Sequence, residues 1–138
     1  MAVIRVTRVI QASREEIWEA LTNPRALSEW MLPNDFSPVV GHRFTFRTSA
    51  APGFDGVIRC EVLELVPPER LKISWVGGPL DTKVTFLLAD GRQGVQLTLE
   101  HEGFEGLGQA LPWLVLGIDG RQLISQNLPA YLRGRRRK

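Results

Sequence analysis

From residue 39 to residue 101 the apolar side chains recur at every second position, and that period dictates what kind of fold is open to the chain. Phe44 and Phe46 alternate with Arg43, Thr45 and Arg47. Ile58, Cys60 and Val62 share a face, and then Leu63 and Leu65 take over from the opposite parity. Such a slip predicts either a β-bulge or a strand buried on both faces near its end. Leu71, Ile73 and Trp75 follow the turn Pro67-Pro68-Glu69-Arg70, and Val84, Phe86 and Leu88 follow Gly77-Gly78-Pro79. A turn at Asp90-Gly91 leads to Val95, Leu97, Leu99 and His101. Five strands with short, turn-rich links predict an antiparallel meander with one face buried.

The flanking segments change period. Residues 3–11 alternate as a first strand, with Ile4, Val6 and Ile10 on one face and Arg5, Thr7 and Val9 on the other. Arg8 falls on the Ile4 face, an unusual place for a charge. Ser13-Arg14-Glu15-Glu16 is a capping box that opens a helix carrying Ile17, Ala20 and Leu21 with Trp18 beside them. Asn23-Pro24 stops that helix and starts a second, with Leu27, Trp30 and Met31 on its apolar side, before Pro33-Asn34-Asp35 breaks the chain again. After the meander, Pro112 predicts the start of a helix running towards Leu132, with Gly134 placed to end it. Its apolar stripe of Leu111, Leu114, Val115 and Ile118 continues through Gln122 and Ser125 to Leu128 and Leu132, so a polar patch should face the sheet. Gly117, Gly120 and Pro129 weaken or bend this helix, which must lean on the rest of the fold.

Composition narrows the function classes. A chain of 138 residues with 43 % hydrophobic content is expected to fold as one domain over residues 1–132. The remaining 133–138 read as a basic, disordered tail. Five of the seventeen basic residues lie in that tail, and without them the formal net charge moves from +2 to −3. The body therefore lacks the basic face of a nucleic-acid binder, and none is expected as a partner. No apolar run approaches a membrane span, and no leader pattern opens the chain. Cys60 is the single cysteine, expected as a buried hydrophobe in a reducing cytoplasm. Two distant histidines and one cysteine match no metal-ligand spacing, and no cofactor motif is present.

A strand, two short helices, a meander and a terminal helix together make the helix-grip arrangement. A closer match is carried by Arg8, Ala12-Ser13 and Trp18; by Ala20-Leu21-Thr22-Asn23-Pro24; and by Leu27, Trp30, Gly41 and Phe44. It continues through Pro67-Pro68-Glu69-Arg70-Leu71 to Trp75, and through Leu97-Thr98-Leu99 to His101, Gly103 and Phe104. These residues resemble the bacterial proteins related to the C-terminal domain of the Aha-type activators of the 90-kDa heat-shock chaperone. That family lies within the START-like (SRPBCC) superfamily, with the birch-pollen-allergen fold. The resemblance implies an α+β fold with a curved antiparallel sheet of about six strands around a long C-terminal helix. It also implies an enclosed space between sheet and helix. Arg121, after Gly120, and Pro129 depart from the pattern of many relatives on that helix.

The expected lining of that space is Trp30, Phe36, Phe44, Phe46, Cys60, Trp75, Phe86, His101, Phe104, Trp113, Ile118, Gln122 and Ser125. Aromatic walls with a few polar groups suit a small apolar or aromatic ligand. His101 shares the inward parity and is the candidate for orienting a ligand or acting as a base, with Arg8 the second polar candidate. A structural histidine at a strand end fits the same position. Arg8 either reaches a polar partner or lays its stem over apolar surface with its head group in solvent. Neither residue has the neighbours of a catalytic constellation, which favours a binding protein over an enzyme. The alternatives are a chaperone co-factor or stress-response interaction protein, and a cyclase- or hydrolase-like enzyme using the same space. Oligomeric state is not legible.

Overall fold

The alternating segments pair into one six-stranded antiparallel sheet, made of β1 (Val3–Ile10), β2 (Arg43–Arg47), β3 (Val57–Val66), β4 (Arg70–Gly77), β5 (Leu80–Gly91) and β6 (Gly94–Glu102). The computed structural model describes residues 3–50, 54–78, 80–103 and 123–136. Strand order is β1-β6-β5-β4-β3-β2, so the first strand joins the last strand of the meander. Helices α1 (Arg14–Thr22) and α2 (Pro24–Trp30) lie between β1 and β2 in the chain. A π-helical turn, Leu123–Asn127, leads into α3, Leu128–Arg136. This is the helix-grip order.

Register carries the hydrophobic pattern across the sheet. One inward row runs Val62, Ile73, Val84, His101 and Ile4; a second runs Leu71, Phe86, Leu99 and Val6; a third runs Leu88, Leu97 and Arg8. The expected slip in β3 is a register shift between Val62 and Glu64, which brings Leu65 opposite Leu71. On the outer face, Glu64, Lys72, Thr85, Glu100 and Arg5 form one row. Arg5 Nε lies 2.6 Å from Glu100, and Lys72 Nζ lies 3.7 Å from Glu64 and 3.6 Å from Glu102. Exposed pairs of this kind contribute little each. Their long stems nevertheless flank Thr85, which explains its burial on the solvent side.

Helices α1 and α2 are set by their caps. Glu16 N–H donates to Ser13 Oγ and Ser13 N–H to Glu16 Oε1, both at 3.1 Å, which completes the capping box. Asn23 closes α1 through its own N–H and caps α2 by accepting from Arg25 N–H at 2.9 Å. The Trp30 indole donates to the Ala20 carbonyl at 2.8 Å, folding α2 back on α1. Ile17, Ala20, Leu21, Leu27 and Trp30 then join Leu123, Ile124, Leu128 and Leu132 in the core. Each fully buried large side chain contributes about 1.5–3 kcal/mol of transfer free energy.

Two expectations need correction. The last hairpin turn lies at Arg92–Gln93, beyond Asp90-Gly91, because Gly91 still pairs with Gly94. Gly94 has φ +141°, and a Cβ there would meet the Ile10 carbonyl oxygen at 2.6 Å, so glycine is required where the turn tucks under β1. Gly134 does not end the last helix, which continues to Arg136, so the basic run is helical at its start. Pro129 sits in the first turn of α3, where a missing N–H costs little and the hydrogen-bond register is already changing from the π-turn. Pro33-Asn34-Asp35 is more than a break. Asn34 bridges Phe46, the Pro33 carbonyl accepts from Arg47 N–H at 3.0 Å, and Asp35 accepts from Thr45 N–H at 2.7 Å, covering the edge of β2.

Gly134 keeps a negative, helical φ and a Cβ there meets nothing within 4 Å. Gly134→Ala should therefore stabilise the protein by about 0.5–1 kcal/mol, read as a higher urea midpoint at unchanged m-value.

Candidate functional site

The strand register brings aromatic side chains from distant parts of the sequence into one continuous row on the concave face. Phe36 meets Phe44 edge-on at 5.0 Å between ring centroids, Phe44 meets Phe46 at 5.4 Å, and Phe46 meets Trp75 at 5.5 Å. His101 ends the row, T-shaped against Trp75 at 6.1 Å. Phe46 and Trp75 are tilted at 45°, and the other contacts are edge-to-face, a geometry that suits the ring quadrupoles. Cys60, Trp30 and Phe86 are also buried, with Trp30 committed to the α1–α2 corner. Burial first, and then the charge of Asp35, push the Cys60 thiol well above its usual range, so it stays a neutral thiol. Phe104, Trp113, Ile118 and Gln122 lie outside the described residues.

His101 has a buried polar partner that the sequence reading missed. Thr82, only 2 % exposed, donates its hydroxyl proton to the Trp75 carbonyl at 2.8 Å and lies 2.7 Å from His101 Nε2. A hydroxyl has one proton, so His101 must donate from Nε2–H to the Thr82 oxygen. That places the imidazole lone pair on Nδ1. Burial lowers the His101 pKa to about 4, so the ring is neutral at physiological pH. Gly103, at φ +98°, follows at the end of β6, where a Cβ would sit 3.3 Å from Thr82 Cα. The signal for Thr82 was available: it shares parity with Val84, Phe86 and Leu88, but β5 begins at Leu80, before the run that marked it.

Arg8 and Ser125, both named from sequence, come together at the opposite end of the inward rows. Arg8 Nε donates to Ser125 Oγ at 2.7 Å, and its Nη1 donates to the Thr7 carbonyl, also at 2.7 Å. Arg8 is exposed and Ser125 half-buried, so the guanidinium lies at the rim of the concave face. Asn127 Nδ2 donates to the Trp30 carbonyl at 3.2 Å, so the π-turn is tied to β1 on one side and to α2 on the other. π-turns of this kind recur at functional sites.

A separate, open groove of about 440 Å³ lies on the outer face beside β2, lined by Asp35, Arg43, Thr45, Arg59, Glu61, Ser74 and Val76 with parts of Phe44 and Cys60. Arg43 pairs with Glu61 at 3.5 Å and Arg59 with Asp55 at 3.1 Å, so its charges are balanced within the protein. Among the described residues no cluster of three or more His, Cys, Asp or Glu could hold a metal ion, and no helix is long and apolar enough to cross a membrane.

The sequence pattern of the family described as Activator of Hsp90 ATPase homolog 1-like protein matches residues 11–133. The chain belongs to this family. Among solved structures, protein MLL2253 from Mesorhizobium loti is 33 % identical, with a TM-score of 0.73 over 96 % of this chain and 95 % of that one. DynU16, from the dynemicin biosynthetic locus, is 22 % identical with a TM-score of 0.74, over 95 % of this chain and 47 % of that one. The Aha1 dimer from Colwellia psychrerythraea is 22 % identical with a TM-score of 0.68, over 83 % of this chain and 84 % of that one. No curated protein matches the sequence. Family membership accounts for the START-like helix-grip fold.

The depressed His101 pKa makes a signed prediction. The unfolded ring takes a proton near pH 6.5 and the folded ring only near pH 4, so the contribution of neutral His101 is full above 6.5 and is lost as pH falls towards 4. Urea midpoints should drop across that window more steeply in the unaltered protein than in His101→Asn. Equal slopes would show that the ring titrates normally in the fold.

Proposed function

We propose that this protein binds a small, largely apolar, aromatic-rich molecule against the concave face, beneath its C-terminal segment. The observation that carries the reading is the unbroken row Phe36, Phe44, Phe46, Trp75 and His101. It offers an apolar wall that ends in a neutral imidazole held by Thr82. His101 engages Thr82 through Nε2, which favours an orienting role over an acid–base one. The family supports a ligand-binding use of the fold, and one structural neighbour comes from a biosynthetic locus.

A panel of flavonoids, sterols, fatty acids and polyketide-like aromatics, followed by tryptophan fluorescence and NMR shift mapping, tests this. The expected outcome is saturable quenching with shifts at Trp75, His101 and Ser125, weakened at least tenfold in Phe46→Ala. A panel that perturbs none of these residues would sink the reading.

The family description supports a second reading, that of a chaperone co-factor. It predicts that the purified chain raises the ATPase rate of the cognate 90-kDa heat-shock chaperone severalfold. No stimulation at saturating protein ends it.

A further inference from the structure

We infer that Arg8 anchors an anionic head group, so that the ligand class is an apolar or aromatic molecule bearing one carboxylate or comparable oxyanion. This deepens the concave-face binding reading and rests on it. Three observations carry it. First, Arg8 occupies an inward register position, continuing the row of Leu88 and Leu97, whereas the other strand arginines Arg5, Arg43, Arg47, Arg59 and Arg70 do not stand in that row. Second, its guanidinium is held by two neutral acceptors, the Ser125 hydroxyl and the Thr7 carbonyl, which fix its plane without neutralising its charge among the described residues. The Nη2 group has no protein partner among the described residues. Third, no carboxylate among the described residues lies within 4.0 Å of it, as holds also for Arg47, whereas Arg5, Arg43, Arg59 and Arg70 each have one and Arg14 has two.

A planar fork of donors, pre-oriented and with no carboxylate partner among the described residues, is the arrangement that takes an oxyanion in two-point contact. Its place at the rim decides the orientation. An anion there keeps part of its hydration while the apolar body lies inward, which avoids the cost of burying a charge. The π-turn contributes the Ser125 hydroxyl to this rim, so the same turn that joins β1 to α2 also sets the angle of the anchor.

The test compares two fluorescent probes with matched ring systems, anionic anilinonaphthalenesulfonate and neutral N-phenylnaphthylamine, on the full chain. The unaltered protein should bind the anion at least about tenfold tighter at low ionic strength, with the advantage shrinking as salt is added. Arg8→Gln should lose that advantage and keep its affinity for the neutral probe, while Arg8→Lys retains part of it. In the unaltered protein, decanoate should displace N-phenylnaphthylamine at lower concentration than decanol does, a comparison that holds even if a variant fails to fold. Neutral-probe binding without an anion preference, or an Arg8→Gln variant with unchanged preference, overturns the anchor and leaves the binding reading standing. Binding of neither probe overturns both.

Discussion

The registers that run from β1 through β6, β5, β4 and β3 to β2 hold the strands' concave-face side chains where they are. Because side chains alternate strictly, a slip of one residue in any of these ladders would turn an inward row to solvent. The ladders therefore act as one constraint, and the aromatic row, the His101–Thr82 contact and the inward position of Arg8 all follow from it. The register yields between Val62 and Glu64, where the shift lets β3 change which parity it buries. Both sheet edges are managed: residues 33–35 cover β2, and Arg8 lays a donor over the Thr7 carbonyl of β1.

Two inward polar residues show opposite solutions to the same cost. His101 lies among apolar neighbours and escapes the penalty by staying neutral, with its Nε2–H donated to Thr82, whose own proton goes to the Trp75 carbonyl. Arg8 cannot give up its charge, so its position at the end of a row, beside the sheet edge, lets the head group reach water. The concave face is thus polar at its two ends and aromatic along one side. That distribution suits an amphipathic molecule better than a purely apolar one.

Much of this was legible in the sequence. Period-two patterning located the strands, the capping box located α1, and Asn23-Pro24 marked the α1–α2 junction, because these signals arise from contacts within a few residues. Thr82 was legible in principle by parity with Val84, had β5 been extended back to Leu80. Phe54, buried in the core from a segment without periodicity, left no comparable trace.

Alternation determined by itself which residues of each regular strand run would face inward, since backbone geometry leaves a run without a bulge no other choice. It could not determine which inward residues would meet. Arg8 and Ser125 are 117 positions apart, and Thr82 and His101 are 19 apart. Their pairing depends on strand order and on how the C-terminal segment packs over the sheet. Only the tertiary structure settles those contacts, because each is fixed by the summed packing of the core and not by either residue's own preference.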